Sequence, residues 1–232
     1  MAMRDSGPED FEYLRPLRPL HFPEEAEVPE SQRHLELRTM LYQLLSFWLQ
    51  DRATVGSDQF LYFDASDPKL CLAPDVFLQL GPPGPEITSW KTWERGTPDL
   101  AIEIASRSDA PDEPWNRKLD RYHRLGVREL VRFDQKAAEP LRVWDYVEGD
   151  LAERKLSLGT PVACRVLGAW WVLVPHERWG RMLRLAHDPE GTQLVETETE
   201  AARRAEAETR LSAEARVQEL EAELLRLRSL KP

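Results

Sequence analysis

Residues 98–105 read PDLAIEIA, an apolar stretch that opens with Pro-Asp and carries one carboxylate near its middle. The isoleucines favour a β-strand, in which successive side chains point to opposite faces. Glu103 therefore lies on the opposite face from Leu100 and Ile102. A carboxylate inside such a strand costs free energy unless it is paired, hydrogen-bonded or bound to a cation. Glu103 is therefore the first candidate for a functional group.

A second Pro-Asp pair precedes another apolar stretch, because residues 74–80 read PDVFLQL. If the two strands are neighbours, Asp75 and Glu103 converge on one point. Carboxylate oxygens are hard ligands that suit Mg²⁺ or Mn²⁺. The pair therefore predicts a divalent metal site. Each part also has a simpler interpretation, in which Pro-Asp forms a turn and Glu103 faces solvent.

Residues 116–130 read NRKLDRYHRLGVREL and predict a helix from about Pro114 to Leu125. Lys118 and Tyr122 lie one turn apart on the same face. A lysine near two carboxylates can neutralise charge that develops on a phosphate. Arg117 and Arg121 lie on an adjacent basic stripe that could hold a phosphate backbone. The alternative is an ordinary solvated helix face.

The remaining periodic segments predict an α/β fold with a central mixed sheet. Leucines at helical spacing after Ser31, a plausible N-cap, predict a helix through Gln50. A helix between two strand-like segments implies at least one crossover connection. A proline-bounded loop or a long hairpin connection is predicted over residues 81–98. The predicted strands are Gln59–Phe63, Val76–Leu80, Leu100–Ala105, Glu129–Phe133, Leu141–Val147 and Ala169–Val174.

Composition divides the 232 residues into three parts. Residues 1–30 contain five prolines among acidic residues and predict an extended arm. Residues 31–190 carry the strand and helix patterns of one α/β domain. Residues 192–232 predict a helical tail rich in Ala, Glu and Arg. Val217, Leu220, Leu224 and Leu227 keep alternating three- and four-residue spacing, which favours a homomeric coiled coil over a solvated single helix.

Charge and hydropathy exclude several classes of protein. Hydrophobic residues make up 41% of the chain, which argues against wholesale disorder. The longest strongly apolar run, residues 167–174, is far too short to cross a membrane, and no signal peptide is visible. We therefore expect a cytoplasmic protein without a membrane partner. The net charge of −10 argues against sequence-independent polyanion binding but permits an enzyme with a local basic stripe.

Other kinds of active site have little support in the residues. The two cysteines are too few for a disulfide framework or, alone, a zinc site. The five histidines show no spacing typical of metal ligands. The chain also lacks a Gly-rich phosphate loop and the HExxH and GxSxG motifs.

Four segments in series resemble a bacterial family described as "putative restriction endonucleases", within the PD-(D/E)XK nuclease superfamily. They are GSDQFLYFD, LAPDVFLQLG, SWKTWERGTPDLAIEIAS and, over residues 118–127, KLDRYHRLGV. The resemblance implies a restriction-endonuclease-like core, a central mixed sheet flanked by helices, with a C-terminal helix or coiled coil. It also implies that Asp75 and Glu103 bind the metal. Ala105 occupies the superfamily's usual lysine position, and Lys118 on the helix matches the family's substitute, with Tyr122 one turn later.

The expected function is therefore Mg²⁺- or Mn²⁺-dependent cleavage of DNA, with RNA left open as a substrate. Asp75, Glu103 and Lys118 are the expected catalytic residues, and Arg117, Arg121 and Tyr122 the expected substrate contacts. A homodimer through the core or the C-terminal helix is expected. The alternative is a catalytically inactive nuclease-fold protein that oligomerises through its tail, which the missing lysine at Ala105 favours.

Overall fold

The structure, a computed structural model, describes residues 31–85, 88–105 and 115–229. The helices in these ranges are α1 Gln32–Leu49, a short 3-10 turn Gln50–Arg52, α2 Thr92–Arg95, α3 Trp115–Leu125 and α4 Glu198–Ser229. The strands are β1 Ala53–Gly56, β2 Leu61–Tyr62, β3 Cys71–Leu72, β4 Val76–Leu80, β5 Trp90–Lys91, β6 Leu100–Ile104, β7 Glu129–Phe133, β8 Leu141–Val147, β9 Asp150–Glu153, β10 Val162–Cys164, β11 Ala169–His176 and β12 Gly180–Ala186.

The centre of the fold is a six-stranded mixed sheet in the order β1-β4-β6-β7-β8-β9. Strands β6 and β7 are parallel, and the other neighbouring pairs are antiparallel. Helix α3 lies in the connection between these two parallel strands. The end of β6 and the start of β7 are at opposite edges of the sheet, so the chain must cross back over the sheet between them. The predicted α/β class with a central mixed sheet and flanking helices is confirmed.

Each face of this sheet carries its own hydrophobic core. Leu100 and Ile102 face a core that includes the buried leucines of α1 and residues of the antiparallel sheet β10-β11-β12. Ala101 faces the other core, where Tyr122 and Leu125 of α3 pack. The alternation predicted for β6 is therefore correct. It places α1 on one side of the sheet and α3 on the other.

Helix α1 begins where the sequence predicts. The side chain of Ser31 accepts a hydrogen bond from the main-chain N–H of His34, which caps the first turn. The leucines of α1 bury one face against the sheet: Leu37, Leu41, Leu44, Leu45 and Leu49. This packing fixes the start of α1 near the start of β4.

Several predicted boundaries are wrong. The predicted strand Gln59–Phe63 is only Leu61–Tyr62, and the predicted loop 81–98 contains β5 and α2. Strands β1, β9, β10 and β12 were not predicted. These segments are short or lack β-branched residues, so their local sequence gives little sign of a strand. Each is a strand because it pairs with a neighbouring strand. The clearest case is β12, which pairs with β11 over seven positions.

The N-terminal arm predicted over residues 1–30 lies outside the described residues. The tail is an α-helix, as predicted, and its coiled-coil pairing remains a prediction. The helix α4 begins at Glu198, later than the predicted tail boundary of 192, and Val195 before it is buried in the core. Within the described ranges, no helix combines the length and apolar character needed to span a membrane.

Candidate active site

The register of two antiparallel strands brings the two predicted acids together. Val76 of β4 pairs with Ile102 of β6, so Asp75 lies opposite Glu103. Both residues are buried, with 7% and 5% of their surface exposed. Asp99, from the Pro98-Asp99 pair, is at the other end of β6. Its side chain accepts hydrogen bonds from the Leu80 main-chain N–H and from Arg128, so that pair is structural.

Both oxygens of the Asp75 carboxylate are held. Oδ2 accepts a 2.6 Å hydrogen bond from the main-chain N–H of Ile104. Oδ1 lies 2.8 Å from Nε2 of His34, which is in the first turn of α1. The carboxylate is therefore fixed between the neighbouring strand and a helix from the other side of the sheet.

Glu103 receives two hydrogen bonds from α3. Lys118 Nζ donates to Oε2 at 2.6 Å. The Tyr122 hydroxyl donates to Oε1. These two residues are four positions apart, so both point from α3 toward the sheet. The face predicted for Lys118 and Tyr122 is therefore the face that meets Glu103.

Burial changes the protonation of this group. Desolvation raises the pKa of Glu103 to about 7, although the Lys118 ammonium lowers it, and the charge of Asp75 raises it further. Burial also raises the pKa of Tyr122 well above its usual value, helped by the charge of Glu103. Tyr122 therefore stays a neutral hydrogen-bond donor. A buried carboxylate of this kind is stabilised by a bound proton or by a nearby cation.

The donor set fits a hard divalent cation. Mg²⁺ in phosphate-handling sites is commonly bound by one or two carboxylates, with water and substrate oxygens completing the shell. Asp75 and Glu103 supply two such carboxylates. Within residues 31–85, 88–105 and 115–229, no three His, Cys, Asp or Glu side chains form a preformed metal cage.

The structure brings four of the predicted residues into one group: Asp75, Glu103, Lys118 and Tyr122. Arg117 is exposed on α3, and Arg121 is half-buried there. Their contact with a phosphate backbone remains a prediction.

Sequence reasoning missed His34. Spacing along the chain does not reveal this histidine, because His34 reaches Asp75 across 41 positions. The signal that could have found it is the capped first turn of α1, because Ser31 fixes where that turn starts. Only the packing of α1 against β4 makes that turn part of the site.

A comparison with protein families identifies the family of this chain. Residues 22–175 match the sequence profile of the Uma2 family, described as "Putative restriction endonuclease". The chain belongs to the Uma2 family. The family resemblance inferred from the four sequence segments is thus confirmed, and the matched residues of this Uma2 protein include Asp75, Glu103 and Lys118.

A solved structure is also similar to this Uma2 protein. It is the crystal structure of "a putative nuclease belonging to DUF820" from Anabaena variabilis ATCC 29413, with 14% identity and a TM-score of 0.43. The similarity covers 58% of this chain and 73% of that chain. A comparison with curated proteins finds no significant match.

Proposed function

We propose that this Uma2 protein is a divalent-cation-dependent endonuclease that hydrolyses phosphodiester bonds of DNA. The observation that supports it is the buried pair Asp75 and Glu103, opposite one another on adjacent strands, with the Lys118 ammonium 2.6 Å from Glu103. The description of the family agrees with this chemistry.

Asp75 and Glu103 would hold the Mg²⁺ or Mn²⁺. Such a cation supplies charge neutralisation at the phosphate and makes water more acidic. Asp75 is oriented for this role by the Ile104 N–H, and Glu103 by Tyr122. Two anchored carboxylates need little rearrangement when the substrate arrives.

Lys118 takes the place of the lysine that the superfamily carries at the position of Ala105. Its side chain is 27% exposed, so the ammonium reaches both Glu103 and the solvent side of the site. From there it can stabilise negative charge on the phosphate or orient the attacking water. Arg117 and Arg121, on the same helix, would hold the phosphate backbone on either side.

Plasmid cleavage with Mg²⁺ or Mn²⁺ tests the proposal. Asp75→Asn and Glu103→Gln are expected to abolish cleavage and to weaken Mn²⁺ binding measured by calorimetry. Asp99→Asn is the matched control, because Asp99 is also the acid of a Pro-Asp pair but lies at the other end of β6, where its carboxylate accepts hydrogen bonds from the Leu80 N–H and from Arg128. Cleavage that is unchanged in both site variants would contradict the proposal. RNA of the same sequence serves as the competing substrate.

A second candidate function has one observation in its favour. Ala105 lacks the ammonium that the superfamily carries there, as expected of a nuclease fold without catalysis. Such a protein would act by binding a partner. Absence of both cleavage and Mn²⁺ binding in the unmodified chain would favour this second function.

We also propose that the protein self-associates through α4. Three apolar residues of the predicted seam, Val217, Leu220 and Leu224, are 53%, 43% and 55% exposed. Their three- and four-residue spacing places them in one line along the helix. A second copy of the same helix would bury this line.

A further inference from the structure

One face of α1 carries a line of three polar side chains beside its buried leucines. His34, Arg38 and Tyr42 are four residues apart, so they lie on successive turns of one face. The line is about 12 Å long, at 1.5 Å per residue. It starts at the candidate active site, because His34 Nε2 lies 2.8 Å from Asp75 Oδ1.

Arg38, the second residue of this line, is connected to the main chain of Asp75 through the Ser57 hydroxyl. Arg38 Nη1 donates a 3.0 Å hydrogen bond to Ser57 Oγ. Ser57 Oγ in turn donates a 2.7 Å hydrogen bond to the main-chain oxygen of Asp75. Nη2 of Arg38 lies 3.8 Å from a carboxylate oxygen of Asp58. The Arg38 guanidinium is therefore held in place by Ser57 and Asp58, close to the main chain of Asp75.

Arg38 and Tyr42 form one wall of a cleft of about 420 Å³. Thr54, Ser57 and Pro85 also line it. Tyr42 is 38% exposed. This size is within the range of small-ligand sites, about 300–1,000 Å³. A guanidinium and an aromatic ring are groups that recognise a phosphate and a base.

We propose that this cleft holds one unpaired nucleotide of the DNA strand, next to the phosphodiester that is cut. Arg38, held by Ser57, would contact its phosphate, and the ring of Tyr42 would stack on its base. A guanidinium binds phosphate through a planar fork of N–H donors. A base reaches an aromatic ring face only when it has left its own stack. The inference rests on the proposed nuclease function and adds a preference for single-stranded or frayed DNA.

Fluorescence anisotropy with labelled single-stranded DNA, in EDTA to prevent cleavage, tests the inference. Arg38→Ala is expected to weaken binding about tenfold, as for the loss of a charged hydrogen bond. It should also reduce the slope of log K against log salt by about 0.7, the value for one phosphate contact on a single strand. Arg203→Ala is the matched control, because Arg203 is an exposed arginine on α4. That control should leave the affinity and the slope unchanged.

Tyr42 provides a second test that does not depend on a half-buried arginine. Tyr42→Ala should weaken single-strand binding about tenfold, the scale of one stacked base. Tyr42→Phe, which keeps the ring, should restore it, and a blunt duplex should respond to neither change. In cleavage assays Arg38→Ala should raise KM more than it lowers kcat. Unchanged thermal unfolding and Mn²⁺ binding confirm that the variants are folded.

Two results separate this inference from the proposed function. If Arg38→Ala and Tyr42→Ala bind DNA like the Arg203→Ala control, the cleft proposal is wrong. Cleavage by the unmodified protein, and its loss in Glu103→Gln, would then still support the nuclease. If the unmodified protein binds neither DNA form and cuts neither, both proposals are wrong.

Discussion

Glu103 should make the metal-free protein less stable as the pH rises. Its pKa is about 7 in the folded protein, raised by burial from the ordinary 4.5. Between these values the folded state keeps a proton that the unfolded state has released, so the free energy of unfolding falls with increasing pH. A shift of this size corresponds to about 3 kcal/mol.

Urea unfolding of EDTA-treated protein between pH 4.5 and 7.5 measures this effect. In the Glu103→Gln variant the free energy of unfolding should no longer fall with pH because of this group. Between pH 4.5 and 7.5 the difference between the variant and the unmodified protein should therefore change by about 3 kcal/mol. Glu219→Gln, on the exposed part of α4, is the control and should run parallel to the unmodified protein. Parallel curves for Glu103→Gln would show that Glu103 ionises normally.

The two cysteines should differ in reactivity. Burial raises the pKa of the Cys164 thiol well above its usual value, and the charge of Glu129 raises it further. Cys71 is only half-buried. Because the thiolate is the reactive form, a thiol reagent at pH 8 should label Cys71 first. Cys71→Ser should remove the fast phase and leave Cys164 to react only on unfolding, and a fast phase that survives would contradict this.

At the residue scale, the sequence predicts the acids and not the histidine. Asp75 and Glu103 are visible because a carboxylate in an apolar strand is unusual, and Lys118 and Tyr122 because helical spacing puts them on one face. No local pattern connects His34 to Asp75, since their contact depends on how α1 packs on the sheet. The residues around Glu103 can thus be predicted from the sequence, whereas the contribution of His34 from α1 cannot.

At the element scale, the sequence predicts a strand correctly where a continuous apolar stretch is buried. Strands β4, β7 and β8 begin and end where the apolar stretches do. Strand β12, GRMLRLA, has no β-branched residue, and β11 decides its conformation by pairing. Local propensity is weak for such segments, so tertiary pairing overrides it.

A buried ionic network joins β7 and β8 to the second sheet, and removing its arginine should be costly. Arg154 Nε donates to Asp145 Oδ2 at 2.6 Å, and Nη2 lies 3.3 Å from Glu129 Oε2. Glu129 is fully buried. Arg154→Met leaves both acids without this cation, although Arg165 Nη1 remains 3.0 Å from Asp145. The expected loss is about 3–5 kcal/mol of unfolding free energy.

Arg142→Met is the matched control for Arg154→Met. Arg142 forms two hydrogen bonds with Glu153, but the two side chains are 37% and 40% exposed. An exposed pair contributes only up to about 1 kcal/mol. Urea unfolding of both variants at one pH compares them directly. Equal losses would mean that the buried network contributes no more than a surface pair.

At the scale of the whole molecule, the first turn of α4 belongs to the folded core. Buried Arg184 donates to Glu200 Oε2 at 2.8 Å and to the Val195 main-chain oxygen at 2.7 Å. Thr197 and Glu200 form a reciprocal capping box. Burial alone would raise the pKa of Glu200, but hydrogen bonds from Arg184 and Thr197 lower it to about 2. From position 202 to 226 the helix is exposed.

Two truncated chains should therefore separate stability from self-association. A chain ending at Ala202 keeps the capping box and the Arg184–Glu200 pair, so it should unfold at nearly the same temperature as the full chain. The same truncated chain carrying Glu200→Ala leaves buried Arg184 without the Glu200 carboxylate, which should cost about 1–3 kcal/mol and lower the unfolding temperature by several degrees. Both truncated chains lack Val217, Leu220 and Leu224, so light scattering should give monomers for both and a larger species for the full chain. A monomeric full chain would rule out association through α4, whereas equal unfolding temperatures for the two truncated chains would show that the Arg184–Glu200 pair does not stabilise the core.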